Sequence, residues 1–392
     1  MIMKDHHRHY LTFAFWGLFL VIVLLLNIVQ DFERTVIGSY IGGAIHWFNG
    51  KPLYYSGGTG FLYFPHSAIL SGLFAFFPKQ ISYSICLSTL VLFLAFSVFT
   101  FVKNLYNKNT SQYFLFYSLV TIPIAFSSAT VGQFNITVIA TMLLASTSIY
   151  KEKWNIAVFW MVLGFALKPI VLVFLLLCWA VYRPLWLKMA IGMVLFLLFP
   201  FLFQYPTYVL EQYKGCYQML TIAHEVGVTG TNWAQLFGFF SHFSLEITSS
   251  FIQTVIRMLM ALVTLVIALR IKLIATHRET VIYILGLSAC YLMLFNPRTE
   301  NSTYVVLAPT IASLWIASGY NLKNYMSLSC FLAALISVMS YYISNLIIPG
   351  HSSWAAPIAA IIISINLMIY YFKFEKRIGV KRQITEGCAE LV

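Results

Sequence analysis

Two carboxylates stand directly behind the first long apolar run of this 392-residue chain, in which only 9% of the residues are charged. They are Asp31 and Glu33. A carboxylate within hydrogen-bond reach of a hydroxyl can take up its proton as a general base. The alternative is that both mark the end of a helix in the headgroup region, because an acidic side chain facing lipid is costly. For Asp31 a functional role is the stronger interpretation, whereas the boundary interpretation is the stronger one for Glu33.

Three cations in unusual places are candidates for binding a phosphate. Lys168 precedes Pro169 at a break between two apolar runs, and Arg257 lies about two turns inside another run. Arg298 belongs to a polar turn that also contains Glu300. A cation inside an apolar run needs a phosphate or carboxylate partner. Two alternatives remain open: Lys168 extends its amine to the interface, or Arg298 and Glu300 pair with each other as a structural contact.

Aromatic, amide and histidine side chains complete the set of polar candidates. The turn Gly132-Gln133-Phe134-Asn135 can bind a sugar through its amides, or Asn135 can cap the helix that it begins. The aromatics can equally be interface anchors, and a lone histidine such as His224 is most often structural. Convergent metal ligands are not recognisable, so no metal site is predicted. The candidate substrate-binding residues are Glu33, Tyr40, Tyr54, Tyr63, His66, Gln133, Asn135, His224, Asn232 and Glu300.

The elements that must position these residues are transmembrane helices. Hydrophobic residues make up 60% of the chain, and soluble domains carry roughly 25% charged residues. A helix needs about 20 residues to cross the hydrocarbon core. The apolar runs predict an all-α integral membrane protein with about twelve transmembrane helices. The predicted spans are 11–30, 81–102, 113–128, 135–150, 155–168, 170–182, 187–203, 251–269, 280–295, 303–319, 326–346 and 354–372.

The distribution of basic residues orients this bundle. Residues 65–78 are apolar but too short to span comfortably, so we predict an interfacial or re-entrant helix there. Most of the 24 Lys and Arg residues then fall on the side that holds both termini, which is therefore predicted to be cytoplasmic. The net charge of +12 is explained by these loops and does not indicate nucleic-acid binding.

A single transmembrane domain, residues 1–372, is predicted, followed by a cytoplasmic tail, 373–392. Its two long extracytoplasmic loops are 31–80 and 204–250. The six cysteines show no CxxC spacing, so neither a zinc site nor a disulfide framework is indicated.

The order of the polar motifs resembles that of a known family. After the first span come Asp31, a Tyr–Gly–Trp–Gly–Pro–Leu–Tyr series from Tyr40 to Tyr54, and Tyr63-Phe64-Pro65. Further on follow a Gly-Gln-x-Asn turn, Lys168-Pro169, and Asn-Pro-Arg at 296–298. The set, over residues 31–309, resembles the bacterial polyprenyl-phosphate-mannose-dependent mannosyltransferases of the glycosyltransferase C (GT-C) superfamily. The chain departs from the family at His66, where many members have a second proline, and at 296–302, where many have a histidine-rich turn.

The resemblance implies a GT-C-like fold and an inverting hexosyl transfer, of mannose by preference. The partners would be a polyprenyl-phosphate-linked sugar donor, a glycolipid, glycan or protein acceptor, and the lipid bilayer. Asp31 matches the family's general base, and Gln133 and Lys168 match its other positions. The implied location is a bacterial inner membrane with the active site facing the periplasm. No cofactor is expected: the three cations can neutralise a departing monophosphate, and an Asp-x-Asp motif is absent from the first loop.

Three other functions compete with this interpretation. A transporter or flippase of lipid-linked sugars would show repeated halves with broken helices at the midplane, whereas here no such symmetry is found and the polar residues lie at one edge. An oligosaccharide ligase would use a lipid-diphosphate donor and would not need Asp31. A non-catalytic scaffold subunit is the third alternative.

Overall fold

The computed structural model describes residues 5–54, 61–229, 233–243, 247, 249–348 and 353–389. These residues form helices joined by turns, with no strand among them. The α-helices are α1 Asp5–Val29, α2 Ile37–Phe48, α3 Pro65–Ser71, α4 Lys79–Leu105, α5 Thr110–Val131, α6 Asn135–Tyr150, α7 Trp154–Leu167, α8 Leu172–Val181, α9 Trp186–Leu198, α10 Pro206–Thr229, α11 Leu236–Ser241, α12 Ser250–Ile274, α13 His277–Phe295, α14 Ala308–Ala317, α15 Tyr325–Ile347 and α16 Ala356–Ala389.

Within the described residues, eight helical segments are long and apolar enough to cross a membrane. They are His7–Val29, Lys79–Leu105, Thr110–Val131, Arg183–Leu202, Ser250–Ile274, His277–Phe295, Tyr325–Ile347 and Ala356–Lys376. The other four predicted spans correspond to shorter helices: α6, α7, the segment Pro169–Val181, and α14 with the 3-10 helix Asn301–Leu307 that precedes it. The prediction of an all-helical, multi-pass membrane protein is therefore confirmed.

The short helix α6 has no charged residue and lies in the middle of the bundle. Nearly all of its residues are buried, as expected for a helix without a polar face. It packs on α4 and α7. The approach to α7 is close, because a Cβ at Gly164 would overlap the side chain of Thr141. A helix surrounded by protein does not need the full thickness of the bilayer, which explains why so short a helix is stable here.

The first long loop contains two short helices, α2 and α3, packed against each other. The apolar stretch after Pro65 forms only the seven residues of α3 and a 3-10 turn, Gly72–Phe74. At 1.5 Å per residue, this is far too short to span. The expected non-spanning helix is therefore present.

The second long loop is more ordered than the sequence indicated, because residues 206–229 form α10. This helix covers the first loop: the Leu53 amide donates to Oε1 of Gln212 at 2.9 Å, and the Tyr208 hydroxyl donates to the Lys51 carbonyl at 2.7 Å. Its mixture of Tyr, Gln and Lys lacks the apolar run that marks a transmembrane helix. It is stabilised by these long-range contacts instead.

Candidate functional site

A cluster of amide and hydroxyl side chains lies at the turn between α5 and α6. Gly132 ends α5 in the left-handed conformation, φ +69°, which glycine adopts without steric cost. The next residues then place Gln133 at the rim and Asn135 at the first, fully buried position of α6. Phe134 and not Asn135 holds the N-cap position of α6, and the side chain of Asn135 bonds to Gln133, Thr303 and Lys168, so the capping interpretation is not what the structure shows.

Continuous hydrogen bonds join this turn to the polar turn before α14. Gln133 donates from Nε2 to Oε2 of Glu300 at 2.7 Å. Its Oε1 accepts from Nδ2 of Asn135 and from the Ser302 hydroxyl, at 2.5 and 2.6 Å. Nδ2 of Asn135 also lies 3.3 Å from the Thr303 hydroxyl. Glu300 thus bonds to Gln133 and Ser302, and the alternative in which it pairs with Arg298 is not what the structure shows.

Lys168 adds a positive charge to this cluster. It stands at the break between α7 and the next helical turn, where Pro169 prevents α7 from continuing. Its Nζ donates to Oδ1 of Asn135 and lies 6.0 Å from the centre of the Tyr63 ring. The ammonium points into the protein, not along the surface as interfacial extension would require. Among the described residues no carboxylate pairs with it.

Tyrosines from the first loop close the cluster on one side. The Tyr40 ring stacks on Phe134 at 3.8 Å, and its hydroxyl lies 3.2 Å from that of Tyr63. Tyr54 donates to the Tyr63 carbonyl at 2.6 Å. Burial raises the pKa of Tyr40 well above its ordinary value, so it acts as a neutral hydrogen-bonding group. These contacts make Tyr40 and Tyr63 part of the same site as Lys168.

Asp31 lies in the turn between α1 and α2, at the same end of the bundle. Both Asp31 and Phe32 have positive φ, 43° and 59°, which is uncommon for residues with side chains. The carboxylate is exposed, and its Oδ2 lies 3.4 Å from Nζ of Lys79. Such a carboxylate is open to an incoming hydroxyl.

The turn of Asp31 is fixed to the cluster through the backbone. The Val36 amide donates to the Val131 carbonyl at 2.9 Å. Ile37 at the start of α2 packs so closely on Gly132 that a Cβ there would come within 2.6 Å of it. Asp31 itself makes no hydrogen bond with the cluster, so its relation to Gln133 is set by α2 and α5.

The other two predicted cations occupy different surroundings. Arg257, 7% exposed on α12, donates from Nε to the Phe295 carbonyl at 3.0 Å and from Nη2 to Gln253 at 3.1 Å. Its Nη1 has no hydrogen-bond partner in the described part of the chain. Arg298 lies 4.8 Å above the Trp233 ring. These contacts stabilise the turn after α13. A phosphate-binding role for either arginine stays a prediction.

His66 is buried in α3, 1% exposed, with its ring stacked on Phe196 at 3.8 Å. Its Nε2 lies 2.6 Å from the Phe196 carbonyl. Burial lowers the pKa of His66 to about 4, so the ring is neutral near pH 7 and packs between α3 and α9.

Of the last three candidates, Glu33 and His224 make no contact with the cluster among the described residues. Glu33 is exposed next to Asp31, and His224 is exposed on α10. Asn232 lies outside the described residues. Substrate binding by these three stays a prediction.

Three residues of the site are not among the predicted site residues: Lys79, Ser302 and Thr303. Lys79 bonds to Asp31 across 48 residues of sequence, a pairing that no local pattern indicates. Ser302 belongs to the polar turn at 296–302, and Thr303 is the first residue of the predicted span 303–319. Their position directly after Glu300, at the start of a helical segment, is a usable signal because hydroxyls there often bond to neighbouring polar groups.

The described residues contain no group of three or more His, Cys, Asp or Glu side chains that could hold a metal ion. The polar groups of the site are an ammonium, two amides, hydroxyls and two separate carboxylates. This set suits a neutral polyol or sugar together with a phosphate, because amides and hydroxyls bind sugar hydroxyls and ammonium groups bind phosphate oxygens.

Comparison with known proteins agrees with this chemistry. No curated protein matches the chain. A family model, that of glycosyltransferase family 87, matches residues 61–297, which is more than half of the 392 residues. The matched region includes Tyr63, Gln133, Asn135 and Lys168, whereas Asp31 precedes it. The chain therefore belongs to glycosyltransferase family 87 and is a multi-pass membrane glycosyltransferase.

Proposed function

We propose that this protein transfers a hexose, mannose by preference, from a polyprenyl-phosphate-linked donor to an acceptor hydroxyl, with inversion at the anomeric carbon. The reaction takes place on the extracytoplasmic face of a bacterial inner membrane, with both termini in the cytoplasm. The observation that carries the proposal is the position of Lys168. Its ammonium has no carboxylate partner among the described residues and is held by Asn135 beside amides, at the end of the bundle where Asp31 is exposed.

The chemistry divides between the two ends of the reacting bond. Asp31 accepts the proton of the acceptor hydroxyl as its oxygen attacks the anomeric carbon. The bond from that carbon to the phosphate oxygen breaks on the opposite side, and the leaving polyprenyl monophosphate gains negative charge. Lys168 stabilises this charge, which a fixed cation does best in a site shielded from water.

Neutral groups hold the sugar between these two positions. Gln133, Asn135 and the Tyr40–Tyr63 hydroxyl pair offer donors and acceptors of fixed orientation. Glu300 accepts a hydrogen bond from Nε2 of Gln133 and so fixes the orientation of that amide toward the substrate. Arg257 and Arg298 support the turn that carries Glu300, and in this proposal they add positive potential for the phosphate.

A donor-exchange assay tests the proposed substrate class. The full-length protein is reconstituted in vesicles and supplied with radiolabelled polyprenyl-phosphate-mannose, polyprenyl-diphosphate-mannose or GDP-mannose, with a membrane glycolipid extract as acceptor. Transfer from the monophosphate donor alone supports the proposal. Transfer from the diphosphate donor contradicts it and favours a ligase, and movement of the labelled lipid between leaflets without transfer favours a flippase.

The same assay tests the proposal that no divalent metal takes part. With Lys168 neutralising the phosphate, transfer is expected to continue at an unchanged rate in EDTA. Loss of transfer in EDTA that is restored by Mg²⁺ or Mn²⁺ would show that this part of the proposal is wrong.

A further inference from the structure

An open apolar groove of about 980 Å³ runs along the outside of the bundle between α7 and α9. Its walls are apolar side chains of the two helices, from Val158 to Ala166 and from Leu187 to Phe196. Phe159 and Leu187, on opposite walls, are 56% and 71% exposed. Since both helices belong to the membrane bundle, the groove faces lipid and accepts hydrocarbon chains.

One end of the groove is positively charged. Arg183 and Lys188, which flank the start of α9, line that end together with Asn155. Nζ of Lys188 donates to Oδ1 of Asn155 at 2.6 Å. The opposite end is lined by His66 and Ala166. Along α7, Ala166 follows Asn155 by eleven residue steps, which separates the two ends by about 16 Å at 1.5 Å per residue.

Within the described residues, no ion pair neutralises the two cations. Neither Arg183 nor Lys188 pairs with a carboxylate in the described part of the chain. Glu152 lines a smaller adjoining cavity of about 310 Å³ together with Lys153 and Lys188. The charge at this end of the groove is therefore positive even when Glu152 is counted.

We propose that this groove binds an anionic phospholipid of the leaflet opposite the candidate active site. The phosphate of the lipid lies against Arg183 and Lys188, and an acyl chain follows α7 and α9 toward His66. Basic pockets between transmembrane helices on the cytoplasmic side select anionic headgroups in this way. The groove therefore suits a ligand with an anionic group at one end and a long hydrocarbon chain along the rest.

The charge pattern of the groove does not fit the polyprenyl-phosphate donor. In the proposed function the donor phosphate binds at Lys168, which ends α7, whereas Arg183 and Lys188 lie beside the start of that helix. An anion held by Arg183 and Lys188 thus belongs to the other membrane surface. The lipid would hold α7, and through it Lys168, in place without taking part in the transfer.

Lipid retention by the full-length protein tests the proposal. The purified protein is delipidated in detergent, incubated with equal amounts of phosphatidylglycerol and phosphatidylcholine, and examined by native mass spectrometry. The wild type is expected to prefer phosphatidylglycerol by about 30-fold, the size that two basic side chains near an anionic headgroup confer. The double variant Arg183→Gln/Lys188→Gln should lose the preference.

Two further variants make the result specific. Lys323→Gln/Lys376→Gln removes two other exposed cations and should keep the preference, whereas Ile191→Trp fills the groove and should reduce retention of both lipids. Equal retention of the two lipids by the wild type would overturn the proposal. So would displacement of phosphatidylglycerol by equimolar polyprenyl phosphate, which would assign the groove to the donor.

Discussion

Nζ of Lys168 donates a hydrogen bond to Oδ1 of Asn135, which joins the break after α7 to the first residue of α6. Through Nδ2 of Asn135 and Oε1 of Gln133 the same chain of bonds reaches Glu300, 132 residues further along the sequence than Lys168. The lysine is thus held by an amide and not by a carboxylate. This arrangement fixes its position and leaves its charge available to a ligand.

Replacing Lys168 by Met should remove the charge that, in our proposal, stabilises the leaving phosphate, and it should keep most of the volume of the side chain. We expect kcat/KM for the donor to fall by about 10²- to 10³-fold, with Lys168→Arg retaining part of the activity. The measurement is transfer from polyprenyl-phosphate-mannose in vesicles. Lys214→Met, which removes an exposed cation on α10, is the matched control and should be unaffected. Equal activity of Lys168→Met and wild type would disprove the phosphate role.

Gln133→Ala should break the chain of hydrogen bonds at its centre. Asn135 and Ser302 would lose an acceptor in a largely buried place, and each unsatisfied group costs about 1–3 kcal/mol. We expect a lower melting temperature in detergent and a severe loss of transfer. Gln80→Ala, an exposed amide on α4, serves as the control. A variant that melts like the wild type would show that the bonds contribute little.

The turn at Gly132 tests whether the placement of α2 matters. Gly132→Ala introduces a Cβ at φ +69° against Ile37, and the left-handed conformation alone costs about 1–2 kcal/mol. Gly42→Ala is the matched control on α2, because a Cβ there meets no atom within 4 Å. We expect the first substitution to lower both stability and transfer and the second to change neither. If Gly42→Ala lowered stability and transfer and Gly132→Ala did not, the close packing of Ile37 on Gly132 would be contradicted.

Some features of this protein are predictable from its sequence, whereas others depend on how its helices pack. Hydropathy located the bundle, since apolar length is a local property, and motif order selected Gln133, Asn135 and Lys168, which the structure brings together. The pairing of Asp31 with Lys79 and the contact of Ser302 with Gln133 depend on which helices become neighbours, and no local pattern encodes that. For the same reason α10 was missed, because its stability comes from Leu53 and Lys51 of the first loop.

Acid should destabilise the protein through His66. Its pKa is lowered from 6.5 to about 4 by burial, so between these values the unfolded chain binds the proton and the folded chain does not. The contribution of His66 to the free energy of unfolding is therefore fully present above pH 6.5. It is lost as the pH drops toward 4, by about 3 kcal/mol at about 1.4 kcal/mol per pKa unit. Melting temperatures between pH 7.5 and 4.5 measure this, and His66→Gln should flatten the profile where His224→Gln should not. An unchanged slope in His66→Gln would exclude His66 as the cause.

We propose that Asp31 deprotonates the acceptor, and a comparison of three proteins decides whether it does. Wild type, Asp31→Asn and the control Glu211→Gln, an exposed carboxylate on α10, are reconstituted equally and assayed for transfer from polyprenyl-phosphate-mannose, with donor binding measured in parallel. We expect Asp31→Asn to bind the donor normally and to transfer about 10²- to 10⁴-fold more slowly, while Glu211→Gln behaves as wild type. Transfer by Asp31→Asn at the wild-type rate would disprove the general-base role.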